Sequence, residues 1–313
     1  MAEELDALKG TNLHGATIDR RRGWEAEWEQ CRRDISRVKA IWGEGLTWYV
    51  PYAIIAPLPS QRFPRDRYLT ASTYLSSRAF PSTLLLESPS LVQSPDSYPI
   101  LVPGVDSLNH ARAQPVSWVV DFPPFAEESH GKISLVTRTA MNAGAEIFNN
   151  YGAKPNSELL LGYGFTLPAN PDDTIALKIG GVPGPSDGEQ QQQQQQQHEL
   201  GRGARGAASV WDPIVEAVKS AEEKEEPEWQ IILDSANILR GMTESLLARL
   251  PRPPVPDALR RTDVAEMISH YIAGQVDVLQ DLVSYSDERE TSGVSMARRE
   301  GVIIQLDGDC SDK

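Results

Sequence analysis

The sequence predicts an α+β fold, and three observations predict it. Apolar residues recur at helical spacing near both ends of the chain: Trp24, Trp28, Cys31 and Ile35 early, then Val264, Met267, Ile268, Tyr271, Ile272, Val276, Leu279 and Leu282 late. Between them stand two short β-branched runs, Val116 to Phe122 and Lys132 to Thr137, which read as paired strands. A further run, Thr174 to Ile179, reads as a strand of the same kind.

Taken in order, residues 3 to 40 read as helical, with Leu5 and Leu8 on one face and Arg and Glu covering the other. Residues 48 to 63 carry Pro51, Pro57 and Pro59, so a loop or broken helix is expected. Residues 82 to 98 form a Pro/Ser-rich connector. Asn156 or Ser157 is expected to cap a short helix over Glu158 to Leu161, stopped by Gly162 and Gly164. Residues 181 to 206 are of low complexity, with eight glutamines from Gln190 to Gln197; they lack apolar surface to bury and read as a disordered insertion. Helices are then expected over 210–218, 229–250 and 259–284, separated by the acidic stretch 222–228 and a proline break at 251–256. Residues 301 to 306 read as a short strand.

Composition narrows the function. A chain of 313 residues has room for two domains and a sizeable core. The net charge of −14 argues against non-specific nucleic-acid binding, which needs a basic surface, and permits a basic partner. Cys31 and Cys310 are too few and too far apart for a disulfide framework or a cysteine metal cluster, which points to a reducing, intracellular compartment. No apolar run approaches the roughly 18 residues of a membrane span, and no signal peptide is expected. Nucleus and cytoplasm are both left open, as is the oligomeric state.

Two segments carry the chemistry. In the first, Pro103 to Ala111, Asp106, Asn109 and His110 follow a buried strand end and would share one face of a helical turn. Asn and His side chains bond a ligand's edge. The set is too short for a zinc site. In the second, Ala145 to Phe165, Tyr151 stands beside Gly152 where a strand turns toward a helix. A phenol there orients or deprotonates a nucleophile; the plainer reading is a core tyrosine with a hydrogen-bonded hydroxyl.

Together the two segments resemble the C-terminal half of a SET domain of the Rubisco large-subunit lysine methyltransferase class. Asp106, Asn109 and His110 match one element of the family's pseudoknot; Asn150, Tyr151 and Gly152 match the other. Leu8 to Leu13 (LKGTNL) and Ser76 to Phe80 (SSRAF) resemble motifs of its helical insert, with Leu69, Thr73, Leu75 and Phe80 expected to be buried. His270 to Leu282 resembles the last helix of its C-terminal domain. The resemblance implies small β-sheets with a pseudoknot, a helical insert and an all-α C-terminal domain. It divides the chain into an insert region and connector (1–100), the C-terminal half of the SET domain (101–180), a disordered Gly/Gln-rich insertion (181–209) and a helical substrate-binding-like domain (210–313).

The resemblance further implies methyl transfer from S-adenosylmethionine to a lysine of a protein, expected to be non-histone, with neither nucleic acid nor membrane as partner. Tyr151 is then the catalytic tyrosine. Asn109, His110 and Tyr151 hold the cofactor, and Ser77, Arg78 and Asp106 lie on the substrate side. The family's early glycine-bearing strands precede the insert, and the insert motif here begins at Leu8, so the N-terminal part of the SET domain is expected to be missing. A non-catalytic, SET-derived interaction module is the alternative reading.

Overall fold

The backbone hydrogen bonds of this computed structural model form seven α-helices, one 3-10 helix (Ser82–Leu85) and three two-stranded sheets among the described residues. The described residues are 2–38, 65–86, 88–92, 94–121, 132–179, 196–221, 226–254 and 261–304. The helices are α1 (Ala2–Asp6), α2 (Asn12–Val38), α3 (Arg65–Arg78), α4 (Asn156–Tyr163), α5 (Ala208–Ala221), α6 (Glu228–Arg249) and α7 (Thr262–Arg299). The strands are β1 (Phe80–Pro81), β2 (Pro99–Ile100), β3 (Val116–Asp121), β4 (Lys132–Thr137), β5 (Thr174–Ile179) and β6 (Gln196–Gly201), paired antiparallel in sequence order. The chain divides into two compact units. One comprises Met1–Gly15, Pro155–Leu160 and Phe165–Lys313; the other comprises Ala16–Lys154 and Leu161–Gly164.

The second of these units carries the first segment singled out above together with residues 145–154 and 161–164 of the second. Trp28 of α2 and Tyr68 of α3 form its buried contact, with Trp24, Cys31 and Leu69 packed around them. The Tyr68 hydroxyl donates to Glu27; burial, helped by that carboxylate, pushes its pKa up to about 12. The expected apolar face of α3 is corrected. Tyr68 is buried, whereas Thr73 and Leu75 are exposed and Leu69 and Phe80 half-buried. The large aromatic with a hydrogen-bond partner takes the interior, and the helix is rotated accordingly. β3 and β4 pair in register from Val116 opposite Thr137 to Asp121 opposite Lys132, as their β-branched composition predicts. Trp118 packs edge-on against Phe80.

In the other unit, α5, α6 and α7 bury Val210, Trp211, Ile214, Ala236, Leu239, Val278, Leu279 and Leu282 against β5 and β6. Helix α7 runs fifteen residues past Ser284, the predicted end. Gly293 makes this possible: a Cβ there would sit 2.9 Å from the Leu233 side chain and 3.1 Å from the Trp229 carbonyl oxygen. Residues 302 to 304 are irregular rather than strand, and 305–306 lie outside the described residues.

Three other expectations are corrected. The first helix is broken over residues 7 to 11, where Gly10 takes φ +92° and Thr11 folds its hydroxyl back onto the Leu8 carbonyl at 2.8 Å. The Gly10 backbone lies directly against the Arg249 carbonyl, which excludes any side chain. The insertion expected to be disordered over 181–209 is ordered from 196 onward. Gln196 pairs with Ile179 and Gly201 with Thr174, so the last two glutamines of the run are strand. Tertiary pairing with an apolar strand overrides their local preference; residues 181–195 lie outside the described set, as do 48–63. The side chain of Asn156 does not cap α4. It bonds Leu167, and the buried carboxylate of Asp173 instead accepts from the Asn156 backbone N–H at 2.7 Å and its side-chain amide at 3.1 Å.

Candidate active site

The expected helical turn over Asp106 to His110 does not form. Gly104 takes φ +91°, the N–H groups of Asp106 and Leu108 bond back to the carbonyls of Val102 and Val105, and from Asn109 the backbone bonds the second segment instead. Asn149 N–H donates to the Asn109 carbonyl at 2.8 Å, and Ala111 N–H donates to the Asn149 carbonyl at 2.9 Å. His110 and Asn149 thereby form an isolated parallel bridge. Asn149 is 1% exposed. The Asn150 amide then closes a tight turn: its nitrogen donates to the Gln114 carbonyl at 3.3 Å and its oxygen accepts from Gly152 N–H at 2.9 Å. Gly152 takes φ +97°, the conformation that only glycine adopts without strain.

Tyr151 is held at both ends. Its backbone N–H donates to Nδ1 of His110 at 3.0 Å, and its hydroxyl donates to the Leu108 carbonyl at 2.7 Å. Arg78, at the end of α3, donates from one guanidinium nitrogen to the Tyr151 hydroxyl oxygen at 3.1 Å. The same nitrogen reaches the carbonyls of Leu108 (3.2 Å) and Asp106 (3.3 Å). Its other terminal nitrogen donates to the Asn109 amide oxygen at 3.0 Å, and the Asn109 amide nitrogen donates to Glu146 at 2.7 Å. The rings of His110 and Tyr163 lie 5.1 and 5.0 Å from that of Tyr151, both tilted.

Burial raises the Tyr151 pKa; the Arg78 charge pulls it down and the Tyr163 phenol adds to the rise. At neutral pH the hydroxyl is therefore protonated. It has one donor, given to Leu108, and accepts from Arg78. That arrangement suits orientation and polar contact rather than proton abstraction.

Six candidate residues were named from sequence. Asn109, His110, Tyr151 and Arg78 converge here, with Arg78 tied to backbone and side chains of the site itself. Asp106 contributes its backbone carbonyl. The Ser77 hydroxyl donates to the Thr73 carbonyl within α3, at 2.7 Å. Sequence reasoning passed over Glu146, Asn149 and Tyr163. Tyr163 lies twelve residues beyond Tyr151 at the end of α4, a spacing that marks no shared face. No cluster of metal-ligating side chains occurs among the described residues, and His270 instead meets the Thr166 hydroxyl at 3.1 Å.

Two crossing segments with a tyrosine at their junction, small sheets, and helices on either side in sequence make a fold similar to that of solved SET domains. The solved SET domain of LSMT bound to lysine and AdoHcy is similar to all of this chain over 72% of its own length, with TM-score 0.60 and 15% identity. Rubisco LSMT bound to AdoMet is similar over the same shares, with TM-score 0.58 and 17% identity. No family model matches the chain.

Among curated proteins, the chain is similar to ribosomal lysine N-methyltransferase set10 of Schizosaccharomyces pombe, with 36% identity over 172 residues, 55% of this chain and 26% of that protein. It is also similar to ribosomal lysine N-methyltransferase 1 of Saccharomyces cerevisiae, with 30% identity over 193 residues, 56% of this chain and 30% of that protein. The chain thus matches less than a third of the length of either relative. No helix among the described residues is long and apolar enough to cross a membrane.

Proposed function

We propose that this chain carries out S-adenosylmethionine-dependent methyl transfer to a lysine side chain of a protein. The single observation that carries the reading is the Tyr151 hydroxyl, kept neutral and fixed between Arg78 and the Leu108 carbonyl where the two segments cross. The donor set fits the cofactor. The Asn109 amide keeps one N–H and one lone pair beyond those bonded to Glu146 and Arg78. Asn109, His110 and Tyr151 would hold the cofactor, which when bound supplies the methyl group with a neutral thioether as leaving group.

The chain's own task is to present a neutral amine. A lysine ammonium with an ordinary pKa of about 10.4 cannot attack until it loses its proton, and a half-buried aromatic site disfavours the charged form. Tyr151, itself protonated, takes no proton; it orients the amine while the proton leaves to water. Positioning then supplies much of the rate. Ser77, Arg78 and Asp106 are assigned to the approach of the substrate. The similarity to two ribosomal lysine methyltransferases supports a ribosomal protein as acceptor, and the net charge of −14 suits such a basic partner.

The test is calorimetric binding of S-adenosylmethionine to the 313-residue chain, followed by transfer of labelled methyl to isolated ribosomal proteins. Binding together with label that disappears in Tyr151→Phe is the expected result. A folded chain that binds no cofactor overturns the reading in favour of an interaction module without catalysis.

A further inference from the structure

We infer that Glu146 is a positioning residue for this site: it orients the Asn109 amide and, through that amide, the Arg78 guanidinium that holds the Tyr151 hydroxyl. The inference rests on the methyltransferase reading for its function, but not for its geometry. A carboxylate oxygen of Glu146 accepts from the Asn109 amide nitrogen at 2.7 Å, the short length of a charge-assisted bond. The oxygen of the same amide accepts from Arg78 at 3.0 Å. An amide caught between a carboxylate and a guanidinium has one acceptable orientation. Turned over, it would set oxygen against oxygen on one side and N–H against N–H on the other.

The consequence reaches Tyr151. Arg78 makes no direct ion pair among the described residues; Glu146 reaches it by way of one amide. With that end of the fork fixed by Asn109, the other end is aimed at the Tyr151 hydroxyl and the Leu108 carbonyl. Residues 78, 109, 146 and 151 are thereby joined through side chains alone, in addition to the backbone bonds that pair Asn109 and Ala111 with Asn149. Glu146 and Asn109 are both exposed, so neither is needed to fill a core. What the pair supplies is a preset direction for a cofactor-facing amide and for Arg78.

Two variants of the 313-residue chain test this, E146Q and E146A. Gln keeps an acceptor oxygen at the end of the side chain and Ala removes it. In the cofactor-free chain, the NMR cross-peak of the Asn109 side-chain amide, identified by its loss in N109D, is expected to move in E146A and to stay close to its wild-type position in E146Q. Affinity for S-adenosylmethionine, read by calorimetry, is expected to fall by about ten- to a hundredfold in E146A and by no more than about threefold in E146Q. An unmoved cross-peak in E146A, or equal loss of affinity in both variants, overturns the inference. If the wild-type chain binds no cofactor, the methyltransferase reading fails separately, and the cross-peak still decides for or against Glu146.

Discussion

The imidazole of His110 accepts a hydrogen bond at Nδ1 from the backbone N–H of Tyr151, so a side chain of one segment fixes the main chain of the other. An accepting Nδ1 carries no proton, which assigns the neutral ring its N–H on Nε2. His110 is only 9% exposed. Replacing it with alanine leaves the Tyr151 N–H without its acceptor, which costs about 1–3 kcal/mol where the group is buried. His110→Ala should therefore lower the urea midpoint and weaken S-adenosylmethionine binding together. An unchanged midpoint would show that water replaces the imidazole without loss.

Tyr151→Phe separates chemistry from stability. The Leu108 carbonyl still accepts from Arg78 after the hydroxyl is gone, so little is left unsatisfied. Stability should fall by no more than about 1 kcal/mol. Methyl transfer should fall by a factor on the order of 100 or more, as for loss of one preorganised polar contact. Thermal unfolding and single-turnover methyl transfer on the same preparation check both halves.

Arg78→Lys should not rescue the site. A lysine ammonium is a single point donor, whereas the Arg78 fork serves Asn109 with one nitrogen and Tyr151, Leu108 and Asp106 with the other. Turnover is expected to drop by roughly tenfold or more despite the retained charge. Activity at the wild-type level would show that charge, not the fork, is what the site uses.

Asp173 makes stability depend on pH. Burial raises its pKa to about 6, against the pull of Asn156 and Arg202; the Asp277 carboxylate adds to the rise. The folded state thus binds a proton more tightly than the unfolded chain, whose aspartate has the usual value near 4. The group's favourable contribution is full below about pH 4 and is lost as pH rises through about 6. Relative to Asp173→Asn, the wild-type chain should lose roughly 2 kcal/mol of stability between pH 4 and pH 7. Urea unfolding at four pH values gives the difference directly; a flat difference would show that Asp173 titrates normally.

Two helical glycines should respond oppositely to alanine. At Gly274 a Cβ would collide with the Asp173 carboxylate, whereas at exposed Gly241 of α6 a Cβ meets nothing within 4 Å. Gly274→Ala should destabilise by about 1–3 kcal/mol through overpacking. Gly241→Ala should stabilise by up to about 1 kcal/mol through helix propensity and a less flexible unfolded chain. Denaturation midpoints of the two variants, compared side by side, test the packing around Asp173.

The sequence by itself determined those elements whose cause is local. The β-branched runs at 116–121 and 132–137 became paired strands, the periodic apolar residues of 262–284 became a helix face, and the residues of the two motifs stood out by type and spacing. Only the tertiary structure decided the rest. It set Asn109 and Ala111 against Asn149 in place of a helical turn, aimed Arg78 at Tyr151, brought Glu146 to Asn109, and used Asp173 rather than Asn156 to cap α4. These contacts join residues 17 to 73 positions apart. Their energies become available only after the loops between them have closed, so no local pattern of residues announces them. The same holds for the glutamines at 196 and 197, whose composition favours disorder and whose pairing with Lys178 and Ile179 makes them a strand.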